Sequence, residues 1–198
     1  MVPEHTLVDH RARSVLERLH ALDQAQRAAG LPTEQRIRSI TPPTGAFLYA
    51  TVLALRPALV FEMGSSVGYS TIWLALAARE YGGQVIGSDV RPERVVEANQ
   101  HLREAGLEAV AEIREGDAAA LAREFEGLGL VFIDAEKDDY TRLFQAVIDR
   151  VLPGGLLLTD NVTSHDCSDY LAFLRRRHDM STITLRFERG IEWTVKRW

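Results

Sequence analysis

The apolar positions of this chain fall into two regimes. Between residues 7 and 29, Val8, Val15, Leu16, Leu19 and Leu22 share one side of a helical wheel, and Gly30 with Pro32 supplies the stop. A second helix is predicted from about Thr44 to Leu55, after a Thr41-Pro42-Pro43 breaker, because proline disfavours helical backbone in the residue before it. From Ala58 onward short apolar runs alternate with helical stretches, the signature of βα units around a parallel sheet. The runs are Leu59-Val60-Phe61, Val85-Ile86, residues 110–113, residues 130–133 and Leu156-Leu157-Leu158. Between them, one helical face carries Tyr140, Leu143, Phe144, Val147 and Val151 and is closed by Pro153-Gly154-Gly155, and another helix opens with Pro92 and stops at Gly106. A further helix is predicted over residues 168–177. The last two β-rich runs, 182–187 and 191–195, flank Glu188-Arg189-Gly190 and read as an antiparallel hairpin closing the sheet.

These elements describe an α/β fold with a mostly parallel sheet and helices on both faces. The expected organisation is one domain, with residues 1–57 as a helical cap and 58–198 as the core, since no repeat or linker interrupts the 198 residues. Composition agrees with a globular chain: 46% of residues are hydrophobic and 26% charged. A net charge of -5 leaves no large basic surface, so nucleic acid is not an expected partner. The single cysteine, Cys167, excludes an internal disulfide and a thiolate zinc site. The longest apolar stretch ends at Arg56-Pro57 before it spans a bilayer, and residues 1–14 are too polar for a signal peptide, so a cytoplasmic location is expected.

In open α/β sheets, ligands collect at the carboxyl ends of the strands. After the first run comes Glu62-Met63-Gly64-Ser65-Ser66-Val67-Gly68-Tyr69-Ser70, where the glycines permit a sharp turn and close approach to a ligand. The spacing is an acid, one residue, Gly, three residues, Gly, and not the Gly-x-Gly-x-x-Gly of a dinucleotide site. It resembles motif I of the class I methyltransferases that use S-adenosylmethionine (SAM). The second run ends at Asp89, placed to accept from both ribose hydroxyls, and the third at Asp117, placed to accept from an adenine amino group. Either aspartate alone reads equally well as a helix N-cap.

The fourth and fifth runs lead into Asp134-Ala135-Glu136-Lys137-Asp138-Asp139-Tyr140 and Thr159-Asp160-Asn161. Neighbouring strands lie about 4.8 Å apart, so Asp134, Asp160 and Asn161 can converge as an all-oxygen set suited to a hard cation such as Mg²⁺. These segments, with Pro153-Gly154-Gly155 between them, resemble the metal-dependent O-methyltransferases, the family of catechol and caffeoyl-CoA O-methyltransferases, over about residues 36–162. The resemblance implies a Rossmann-like, seven-stranded methyltransferase fold and a SAM-dependent O-methyltransferase acting on a catechol-like small molecule, in a homodimer. It implies Lys137 as catalytic base and Asp134, Asp160 and Asn161 as metal ligands. Cofactor contacts are then expected from Ile40, Glu62, Gly64, Ser65, Gly68, Tyr69, Ser70, Asp89, Val90, Asp117, Ala118 and Asp134.

Two features depart from the family pattern. Glu136 stands where relatives carry Asp or an aromatic, and the chain lacks the substrate-loop insertion of plant caffeoyl-CoA enzymes. The same chemistry on a hydroxylated tRNA uridine and a non-catalytic SAM-binding module remain alternatives. His165 and Trp193 are open as pocket residues, while Trp73 reads as core and Arg175-Arg176-Arg177 as a solvated helix end.

Overall fold

The computed structural model describes residues 9–198, so the predicted start of the first helix at residues 7 and 8 lies outside the described residues. Helix α1 (His10–Ala28) is N-capped by Asp9, whose carboxylate accepts from the Arg11 and Ala12 amides, and it buries Ala12, Val15, Leu16 and Leu19. Helix α2 (Pro42–Leu55) begins two residues before the expected Thr44, because Pro42 and Pro43 occupy its first turn, where the missing N–H costs nothing. Thr41 caps it through its hydroxyl.

The core alternates β1 (Leu59–Met63), α3 (Tyr69–Arg79), β2 (Gln84–Asp89), α4 (Pro92–Ala105), β3 (Ala111–Glu115), α5 (Ala118–Leu121), β4 (Leu128–Ile133), α6 (Tyr140–Val147), β5 (Val151–Thr159), α7 (Ser168–Arg175), β6 (Met180–Leu185) and β7 (Ile191–Lys196). The seven strands run β3-β2-β1-β4-β5-β7-β6; the first five are parallel, and β7 is antiparallel to both neighbours. Alternate strand residues face opposite cores. Val60, Leu130, Phe132, Leu156 and Leu158 pack under α1 to α4, while Phe61, Met63, Val131, Ile133 and Leu157 pack under α5 to α7. Because both faces are covered, these strands read as unbroken apolar runs. Each such side chain, fully buried, contributes about 1.5–3 kcal/mol.

The expected helical face through Val151 is corrected. Helix α6 stops at Val147, a 3-10 turn (Ile148–Arg150) follows, and Val151 opens β5, paired with Leu128. The Lys196 ammonium donates to the Ile148 and Val151 carbonyls at 2.9 and 2.8 Å, satisfying acceptors that a longer helix would have paired internally. The register irregularity between Leu128 and Leu130 takes up the Pro153-Gly154 segment. Val110 precedes β3, although its carbonyl still accepts from Val85 N, and β6 spans residues 180–185, leaving Phe187 in the turn. Among the described residues, no helix is long and apolar enough to cross a membrane.

Chain order reverses beside β1: the connection from β1 leads to β2 on one side, and β4 lies on the other. Loops leaving the two strands therefore diverge to opposite faces and open a crevice at their carboxyl ends.

Candidate active site

A cleft of about 500 Å³ occupies this crevice, walled by residues 33–40, by the loops after β1 to β4, and by Asn161, His165 and Arg189. Gly64, at φ +97°, sits where a Cβ would lie 2.5 Å from the Asp134 carbonyl oxygen, so only glycine lets the β1 loop lie this close to the β4 loop. The Gly64 and Ser65 amides both donate to the Ser88 carbonyl, at 3.1 and 2.8 Å. Asp89 fastens the two loops further: Oδ2 accepts from Ser66 N and Oδ1 from Arg91 N, each at 2.9 Å.

Of the expected cofactor contacts, Ile40, Gly64, Ser65, Tyr69, Ser70, Asp89, Val90, Asp117, Ala118 and Asp134 line this one cleft. Glu62 and Gly68 do not. Glu62 is wholly buried beneath the loop; its Oε2 accepts from Ser65 Oγ at 2.7 Å and from the Thr71 hydroxyl, while Oε1 has no partner. Burial raises its pKa, against the pull of the Ser65, Ser70 and Thr71 hydroxyls. Gly68, at φ +83°, turns the chain into α3 against Ala98. The local role foreseen for Asp117 is realised as well: its carboxylate caps α5 through Ala120 N at 2.9 Å and pairs with Arg142 at 3.0 Å. Burial works against that carboxylate, but these donors hold its pKa below the ordinary value.

Segment 36–40, which closes the cleft, carries little periodic signal in the sequence. It is held by α1 and by the β1 loop. Ile37 N donates to Gln26 Oε1 at 2.8 Å, Ser39 N to the buried Asp23 at 3.3 Å, and Ser66 Oγ to the Ile37 carbonyl at 2.8 Å. Arg38 reaches across to form an ion pair with Glu136, holding that carboxyl below its ordinary pKa. Ser66, Arg36, Arg38, Arg142 and Arg189 line the cleft and were not singled out as site residues by the sequence; Ser66 and Arg189 stand in loops that follow strands, whereas Arg36 and Arg38 precede α2 and Arg142 lies within α6, where no sequence signal marked them.

The far end of the cleft is built from the tips of β4 and β5. Asp134 N donates to the Met63 carbonyl and Asp160 N to the Ile133 carbonyl, each at 3.0 Å, so the sheet ladder fixes both aspartates side by side. Lys137 stands on a 3-10 turn (Lys137–Asp139) just before α6, not in the first turn of the helix. Its ammonium donates to Asp134 Oδ1 at 3.1 Å, the Ala135 carbonyl at 3.0 Å and the Tyr140 hydroxyl at 2.7 Å, and Tyr140 in turn donates to the Asp160 carbonyl at 2.8 Å.

Asn161, at φ +64°, folds back to donate from Nδ2 to Asp160 Oδ2 at 2.7 Å. Asp160 is 2% exposed and lies behind the cleft surface formed by Asp134 and Asn161; its Oδ1 has no donor. Burial, and then the charge of Asp134, push the Asp160 carboxyl up to about 7. Among the described residues no three His, Cys, Asp or Glu side chains are grouped to hold a metal, so any cation here rests on two carboxylates and an amide. His165 lines the cleft and Trp193 does not, packing instead 6.0 Å from Phe47.

The arrangement can hold an elongated polar ligand along β1 to β3 and present it to a cluster of carboxylate, amide and ammonium groups at β4 and β5. Comparison with known proteins fits that chemistry. A family model described as a methyltransferase domain matches residues 61–162. A catechol O-methyltransferase from Niastella koreensis is 32% identical over 164 residues, covering 78% of this chain and 72% of the relative. One from Mycobacterium tuberculosis is 33% identical over 140 residues, covering 70% and 61%. In fold, the chain matches an O-methyltransferase from Bacillus cereus solved with S-adenosylhomocysteine, at a TM-score of 0.77 and 22% identity over the full length of both. With the glycine loop and strand-end acids in one cleft, and with these relatives, the chain belongs to the class I SAM-dependent O-methyltransferases.

Proposed function

We propose that the protein methylates one hydroxyl of a vicinal dihydroxy aromatic, with a divalent cation, Mg²⁺ in the first instance, held by Asp134, Asp160 and Asn161. The observation that carries this reading is Asp160 Oδ1, a buried carboxylate oxygen without a donor beside a second carboxylate. Such an oxygen is costly unless a proton or a cation satisfies it. Three oxygen donors on adjacent strand tips suit a hard ion and leave positions for other ligands. When bound, the cation supplies positive charge that favours the ionised form of a neighbouring phenol.

The remaining chemistry belongs to side chains of this chain. Asp89 offers its remaining acceptor capacity to the ribose hydroxyls, and the amides of the β1 loop shape the methionine end of the site. Lys137, held by Tyr140 beside Asp134, takes the phenol proton when its amine is in the neutral form, becoming the ammonium that donates to Asp134 and Tyr140. The Arg38–Glu136 pair and Asn161 line the cleft on the side assigned to the acceptor. Aligning oxygen, methyl and sulfur in such a cleft can lower a barrier by about 7–11 kcal/mol in favourable systems. The catechol O-methyltransferase names of the relatives support this acceptor class.

The test is methyl transfer to catechol after exhaustive chelation and after restoring Mg²⁺. The expected result is no turnover with EDTA and recovery with the ion. Full activity in the chelated enzyme overturns the metal assignment.

A further inference from the structure

We infer that Arg189 recognises a carboxylate on the methyl acceptor, so that the preferred substrates are catechols bearing an acidic substituent. This rests on the acceptor class proposed above. Arg189 lies at the tip of the β6–β7 hairpin and lines the cleft together with Asn161, His165 and Lys137. The tip is docked rigidly onto the segment that carries the acceptor end of the site. Val162 N donates to the Gly190 carbonyl at 3.1 Å and Thr163 N to the Arg189 carbonyl at 3.0 Å, one and two residues beyond Asn161. Gly190 is at φ +84°, and a Cβ there would fall 2.4 Å from the Thr163 side chain, so the tip can approach this closely only as glycine.

The guanidinium that this mount presents has no carboxylate partner. Arg27, Arg38, Arg91 and Arg142, which also line the cleft, pair with Asp23, Glu136, Asp89, and Asp117 and Asp139. Among the described residues, Arg189 and Arg36 are the lining arginines outside such pairs; Arg36 donates to the Thr33 hydroxyl at 2.7 Å. Arg189 stands at the acceptor end, on the cleft wall with Asn161, His165 and Lys137. Lys137 already offsets one of the two carboxylates there. Asn161 Nδ2 donates to the other, Asp160, at 2.7 Å, so neither carboxylate takes Arg189 as a hydrogen-bonded partner. A half-buried, unpaired guanidinium on a rigid turn is suited to planar recognition of a carboxylate.

The test uses the full chain with S-adenosylhomocysteine and Mg²⁺, and titration calorimetry with catechol, protocatechuic acid and its methyl ester. The wild-type protein is expected to bind the acid about 10-fold more tightly than the ester, as one charge-assisted hydrogen bond would give. Arg189→Gln should bring acid and ester to the same affinity while leaving catechol binding unchanged. Equal affinity for acid and ester in the wild type, or a preference that survives Arg189→Gln, overturns the assignment while the acceptor class stands. If none of the three ligands binds and none is methylated, the acceptor class itself fails, and the role of Arg189 with it.

Discussion

Replacing Asp160 by Asn separates stability from activity in a way that tests the cation reading directly. In the metal-free protein the Asp160 carboxyl is raised from 3.8 to about 7, by burial first and by Asp134 second. At about 1.4 kcal/mol per factor of ten, that rise corresponds to about 4 kcal/mol between its protonation states. The sign follows from linkage: the folded protein binds the proton more tightly than the unfolded chain. The contribution of this group to stability is therefore fully present below about pH 4 and is lost as pH rises toward about 7. Asn cannot ionise, so Asp160→Asn should gain stability over that window and hold the gain above it. The new amide Nδ2, placed where Oδ1 has no partner, returns about 1–3 kcal/mol as an unsatisfied donor. A net gain of about 2 kcal/mol remains near pH 8, which for a chain of this size raises Tm by about 4–8 °C. Thermal unfolding in EDTA across pH 4 to 8 measures it. The variant should also lose the stabilisation that Mg²⁺ gives the wild type, and its methyl transfer. A metal-free Asp160→Asn protein that melts below the wild type at pH 8, or one that Mg²⁺ still stabilises, would refute the reasoning.

Two further substitutions probe the cofactor and the base. Asp89→Ala should weaken SAM binding by about 1.5–3 kcal/mol by calorimetry, since one charged group holds Ser66 N and Arg91 N and is open to the ribose; unchanged affinity in a folded variant rejects it. Lys137→Ala should lower kcat by about 10²- to 10⁴-fold with SAM affinity little changed, and the loss should narrow at high pH, where a phenol ionises without help. A variant matching the wild type at every pH shows that Lys137 is not the base.

Much of the fold was legible in the sequence because the sheet is buried on both faces. Strands such as residues 130–133 and 156–158 then appear as unbroken apolar runs, and each strand end marks a loop at the carboxyl edge. The acid and glycine spacing at residues 62–68 and the acids at Asp89, Asp117 and Asp134 stand at the ends of those runs, so local order alone located most of the cleft. Where packing competes with local pattern, the sequence was misleading. Val151 continues a helical face by periodicity, yet the ladder with Leu128 and the reach of Lys196 make it the first residue of a strand.

Only the tertiary structure decided which polar groups meet across long separations. Glu62 follows the first strand by spacing, and only the fold shows that Ser65 and Thr71 donate to it beneath the loop. Arg38 and Glu136 are 98 residues apart and become one wall, and segment 36–40 is held by Asp23 and Gln26 of a helix that precedes it. Arg189 carries no motif at all. Its place beside Asn161 comes from two backbone hydrogen bonds between a hairpin tip and the β5 loop. Periodicity reports the surface each residue buries, a local property set by its own element. Partnership between charged groups depends on how loops from different elements are docked, and that is fixed only when the whole sheet has formed.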